Sequence, residues 1–69
     1  MQMFFLGPKI RAARVGRGWT QASLSHFTGM STGDISRIET GRLVPTQSQV
    51  KRLADALQIP ISADDKASR

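Results

Sequence analysis

The sequence predicts an all-α fold, a compact bundle of four to five short helices, and three observations carry that prediction. Capping residues recur ahead of apolar segments, at Thr20, Ser31 and Thr46, and glycines stand where helices would close, at Gly16, Gly18, Gly29 and Gly41. Val50, Leu53, Ala54 and Leu57 repeat at i, i+3, i+4 and i+7, the spacing of one helix face. The remaining apolar runs are too few for a sheet, and there is no internal repeat or low-complexity tract.

The elements follow in order. Pro8 suits the first turn of a helix, where its missing amide costs nothing, so helix 1 is expected from Pro8 to about Val15. Its inward face is thin, with Ile10 and Ala13 on one side. Helix 2 begins near Gln21: Thr20 caps it, and Trp19, five residues before Leu24, has the spacing of a hydrophobic staple. After Gly29 the start signal repeats more fully. Ser31 would cap helix 3, Asp34 would reach back to the Ser31 amide, and Met30 would pack on Ile35. Gly41 offers the stop. Only about three or four residues link helices 2 and 3, the connection of a helix-turn-helix unit, whose second helix enters the DNA major groove. A Leu43-Val44-Pro45 connector leads to a capping box at Thr46 and Gln49 and then to helix 4. Beyond Pro60, Ser62 and Asp65 could cap one last short helix, but it would have no apolar face, and the tail is expected to fray.

Sixty-nine residues make one domain, since a core of this size buries only about 60% of the surface the unfolded chain exposes. The expected division is an apolar arm at 1–7, a folded domain at 8–62 and a polar tail at 63–69. Without cysteine, helix packing alone must supply stability. The N-terminal MQMFFLGP lacks a basic leader and nothing approaches a membrane span, so a soluble chain is expected, with a cytoplasmic setting as the default. Ten Lys and Arg against five Asp and Glu give a formal charge of +5, which favours a polyanionic partner. Through Arg42 six basic residues face two acidic ones, which concentrates the positive field around the two-helix unit.

These residues resemble the phage-repressor and Cro-like (XRE-type) helix-turn-helix family over roughly Ile10 to Ser62. The pieces are IRAAR, GWTQ, the small Ser25, then Gly29, Ile35 and Ile38, the ISRIETGR segment and the VPT…LADAL ending. Each is weak alone; in this order and spacing they are strong together. The resemblance implies a lambda-repressor-like DNA-binding bundle acting on double-stranded operator DNA, usually as a homodimer on a palindrome. It implies that the helix from Ser31 to Thr40 reads bases through Ser31, Thr32, Ser36 and Arg37, and that Gln21, Thr40 and Arg42 hold phosphates. Of these, Arg37 has the chemistry for a strong specific contact, a paired donation to guanine O6 and N7. It further implies a structural ion pair between Arg14 and Glu39.

The chain departs from the family pattern at several positions. Thr28 replaces an aliphatic residue and Phe27 a polar one, so either helix 2 is rotated or Phe27 covers a neighbouring surface. Gly33 offers no side chain at a position that often reads a base, and Asp34 puts a negative charge near phosphates. Gln58 replaces the usual glycine after helix 4, and Asp64 and Asp65 replace an apolar pair used for dimerisation.

Two functions from different classes stand open. One is a sequence-specific transcriptional regulator. The other is an antitoxin or adaptor binding a protein partner, such as a toxin, through the Phe4-Phe5 arm or the acidic tail. The arm of Met1, Met3, Phe4, Phe5 and Leu6 either folds back on helix 1 or covers a second chain. An enzyme is disfavoured: with no cysteine, one histidine and five scattered carboxylates, no nucleophile–base pair or metal-ligand spacing survives, and no cofactor is expected. His26 is expected on the surface, and Trp19 in the core rather than as a base-stacking platform.

Overall fold

Three hydroxyl side chains set where three helices begin. In the computed structural model, which describes residues 6–60, Thr20 Oγ1 accepts from the Ser23 amide at 3.0 Å, Ser31 Oγ from Asp34 at 3.0 Å and Thr46 Oγ1 from Gln49 at 3.1 Å. Each supplies one of the first-turn amides with the partner the helix cannot provide. The helices are α1 (Leu6–Gly16), α2 (Gln21–Thr28), α3 (Thr32–Glu39) and α4 (Gln47–Leu57), with no strand among the described residues.

The two longer cap signatures have different outcomes. Gln49 closes its capping box, Oε1 accepting from the Thr46 amide at 2.9 Å. Asp34 does not reach the Ser31 amide; its carboxylate turns instead to Arg37, with Arg37 Nη1 donating to Oδ1 at 2.9 Å. The difference is side-chain length, because the box is built for Glu or Gln and Asp is one methylene shorter.

Helix α1 starts at Leu6 rather than Pro8. Leu6 and Gly7 are buried against the bundle, so both belong to the folded domain and not to an arm. Pro8 still lies in the first turn, among amides that have no intrahelical partner. The inward face of α1 is Leu6, Gly7, Ile10 and Arg14, wider than Ile10 and Ala13 alone. The expected capped helix at Ser62 and Asp65, the Met1–Phe5 arm and the polar tail lie outside the described residues.

The core gathers Leu6, Ile10, Leu24, Met30, Ile35, Ile38, Val50, Leu53 and Leu57 from all four helices and the α2–α3 turn, with Trp19, Leu43 and Ile59 packed at its edge. Helix α2 is not rotated. Leu24 is fully buried, and Thr28 also faces inward, its Oγ1 donating to the Leu24 carbonyl at 2.8 Å and accepting from the Met30 amide at 3.1 Å. A hydroxyl thus occupies the aliphatic position without an orphaned polar atom. Phe27 stays outside and lies on Trp19, ring centroids 4.6 Å apart, while the Arg17 guanidinium sits 5.3 Å from the Trp19 ring centre.

Gly29 ends α2 at φ 75, a left-handed conformation that glycine takes at no steric cost. At the end of α4 Gln58 takes the same conformation at φ 56. A side chain there costs about 1–2 kcal/mol, partly offset by the about 0.5–1 kcal/mol of extra freedom a glycine loses on folding. Gln58→Gly is therefore expected to stabilise the domain by about 0.5–1 kcal/mol. The urea midpoint is the measurement, and a midpoint that stays or falls would contradict the strain argument.

Candidate nucleic-acid interface

Helix α3 divides cleanly into two faces. Ile35, Ile38 and Glu39 turn into the bundle. Thr32, Gly33, Arg37 and Thr40 are exposed and Ser36 is half-buried; at about 100° per residue these five occupy an arc of about 140°. Ser31 stands exposed just ahead of them as the cap. Of the four residues assigned to base reading, Thr32, Ser36 and Arg37 therefore share one outward side of a short rod, and Ser31 stands at its N-terminal end.

What holds that rod is polar as well as apolar. Arg14 on α1 grips Glu39 on α3 with two hydrogen bonds, Nε to Oε2 at 2.7 Å and Nη2 to Oε1 at 3.0 Å, with side chains only 10% and 2% exposed. Arg14 Nη1 also donates to the Trp19 carbonyl at 2.8 Å. The hydrogen bond to Glu39, working against burial, raises the Arg14 guanidinium above its ordinary value. A raised cation contributes stability in full below its unfolded range, lost only as pH climbs through the folded one, so the arginine side stays charged at any physiological pH.

Gln21, assigned to a phosphate, is half-buried, and its Nε2 donates to Glu39 Oε1 at 3.1 Å. One amide hydrogen is thus committed inward and the other remains for a ligand. Thr40, assigned to the same task, spends its hydroxyl hydrogen on its own helix, toward the Ser36 carbonyl at 3.0 Å and the Arg37 carbonyl at 3.2 Å. It can donate to a phosphate only after its hydroxyl rotates. Arg42 is exposed just beyond α3.

Among the contacts that sequence reasoning missed, three involve Arg17, Gln21 and Asp34. Arg17, read only as part of the basic field, donates to the Leu57 carbonyl from Nε at 3.1 Å and Nη2 at 2.6 Å and so caps the C-terminus of α4. The Gln21–Glu39 and Asp34–Arg37 bonds were the others. The last had a usable signal, opposite charges at i, i+3; the first two join residues 40 and 18 apart in sequence. The turn between α2 and α3 is clamped by side chains, since Ser25 Oγ donates to the Met30 carbonyl while Thr28 holds the Met30 amide.

Residues 6–60 carry eight basic against three acidic side chains, so the formal +5 of the whole chain resides in this bundle. Among the described residues no cluster of three or more potential ligands could hold a metal, and no helix is long and apolar enough to cross a membrane.

Two eight-residue helices joined by Gly29, Met30 and Ser31, the second presenting a polar face from a basic all-α bundle, define a helix-turn-helix domain. The chain belongs to the helix-turn-helix domain family, whose model matches residues 6–66. It is 46% identical over 55 residues to the HTH-type transcriptional repressor RghR of Bacillus subtilis, covering 78% of this chain and 41% of that protein. It is 35% identical over 57 residues to the transcriptional regulator ClgR of Mycobacterium tuberculosis, covering 83% and 51%. To the HTH-type transcriptional regulator YazB of Bacillus subtilis it is 34% identical over 67 residues, covering 97% and 94%. The chain thus spans about half or less of the first two relatives and nearly all of the third. No solved structure matches it.

Proposed function

We propose that this chain is a sequence-specific DNA-binding transcriptional regulator in which α3 enters the major groove. The observation that carries this reading is the outward face of α3: Thr32, Ser36 and Arg37 are displayed while the opposite face is locked by Ile35, Ile38 and the Arg14–Glu39 pair. An α-helix fits the major groove, and hydroxyls and a guanidinium suit base edges there. The names of the relatives, all transcriptional regulators or repressors, support the same reading.

In this reading Arg37 donates to a guanine, while Ser31, Thr32 and Ser36 add weaker contacts. Arg42, the remaining amide hydrogen of Gln21 and a re-aimed Thr40 hydroxyl hold the phosphates on either side and set register without reading sequence. The domain acts as a homodimer in the cytoplasm, its two α3 helices meeting half-sites about 34 Å apart on a palindromic operator.

Selection of binding duplexes from random sequence tests the proposal: one enriched motif is expected, and no enrichment would refute it. On that motif Arg37→Ala is expected to cost about 1–3 kcal/mol and to flatten the preference. Arg42→Ala should weaken motif and random duplex alike. Binding isotherms of both variants on both duplexes check the division, and equal losses throughout would overturn the assignment of Arg37 to base reading.

A further inference from the structure

Asp34 is an anion on the side of α3 that the DNA reading places near phosphates, where it should only repel. Yet its carboxylate is not idle. Oδ1 accepts from Arg37 Nη1 at 2.9 Å, and among the described residues Nε and Nη2 of Arg37 have no hydrogen-bond partner. The guanidinium rests over the first turn of its own helix: a Cβ built on Gly33 would lie 3.9 Å from both Nη1 and Nη2 and 3.9 Å from Ser31 Oγ. The bare backbone at Gly33 leaves that surface open. Asp34 takes no part in the cap through its side chain: its carboxylate makes no bond to the Ser31 amide, and the cap engages only its backbone amide.

The geometry points to Asp34 as a positioning residue that fixes the orientation in which Arg37 meets a guanine edge, so that discrimination between sequences depends on it more than affinity does. The inference rests on the DNA reading of α3 and deepens it. An arginine free to rotate loses side-chain freedom whenever it binds, and it can settle on phosphate as readily as on a base. One tethered by a charge-assisted hydrogen bond has lost that freedom beforehand and offers a fixed set of donors. The negative charge of Asp34 also weakens binding to any duplex through repulsion of the backbone. Only the first effect widens the gap between the preferred site and all others; the second lowers affinity for every duplex alike.

The experiment compares wild type, Asp34→Ala, Arg37→Ala and the double variant on the selected motif and on random duplex. Asp34→Ala is expected to tighten random-duplex binding about threefold, through loss of one repelling charge, and to lower the ratio of motif to random affinity about tenfold. In the Arg37→Ala background the same change should leave the ratio within about twofold, because nothing remains to be oriented. The role is overturned if both duplexes tighten by one factor with the ratio unchanged. It is equally overturned if the ratio falls as far without Arg37 as with it, which is how a merely structural contribution would behave. Wild type failing to discriminate any motif would refute the DNA reading itself, and this role with it; wild type discriminating while Asp34→Ala matches it would refute the role alone.

Discussion

Glu39→Ala is expected to destabilise the domain by about 3–5 kcal/mol, because it strands a buried charge rather than merely removing a contact. Arg14 would keep its guanidinium inside the bundle with two of its three hydrogen bonds gone, and Gln21 Nε2 would lose its acceptor. At roughly 0.05–0.15 kcal/mol per residue, a domain of this length has about 3–10 kcal/mol in total. The variant should therefore be largely unfolded at 37 °C, read as loss of helical circular dichroism. The paired change Arg14→Met with Glu39→Met should recover much of the loss, since a well-packed apolar pair is often neutral against an ion pair. A single variant that loses less than about 1 kcal/mol would show that the pair is solvated in solution.

Gly7→Ala is the second large effect, and it comes from close approach. A Cβ at Gly7 would collide with the Ile38 carbonyl oxygen and lie 2.7 Å from that of Glu39, both backbone atoms at the end of α3. Neither can swing aside, so α1 must shift and take Leu6 and Ile10 with it. We expect a loss near the upper end of the usual overpacking range, about 3 kcal/mol, even though alanine is the better helix former. For a domain this small that lowers Tm by more than about 10 °C. Gly16→Ala is the control. Its Cβ would meet nothing within 4 Å, and the variant should be neutral or slightly stabilising. Equal thermal shifts in the two variants would remove close packing as the explanation.

The legible parts of the fold were those written in local chemistry. Thr20, Ser31, Thr46 and Gln49 announced their caps because a cap joins residues three apart, and α4 was plain from the spacing of Val50, Leu53 and Leu57. The outward face of α3 followed from the same periodicity once Ile35 and Ile38 were assigned inward. Asp34 shows the limit even of local reading, since it had two partners within reach and only side-chain length chose between them. The start of α1 was not legible. Nothing near Gly7 signals that its value lies in fitting against carbonyls more than thirty residues away, or that Leu6 joins the core. Arg17 was hidden for the same reason: a basic residue between two glycines looks like free charge until α4 brings the Leu57 carbonyl to it.

The clamp on Met30 bears on the energetics of recognition. Ser25 and Thr28 hold the carbonyl and amide of the one residue at the middle of the α2–α3 connection, and Met30 itself is buried. The short connection of the motif is thus fastened at both polar backbone atoms of its central residue. On the DNA reading proposed for α3, a turn fastened in this way favours docking with little backbone rearrangement over ordering on contact.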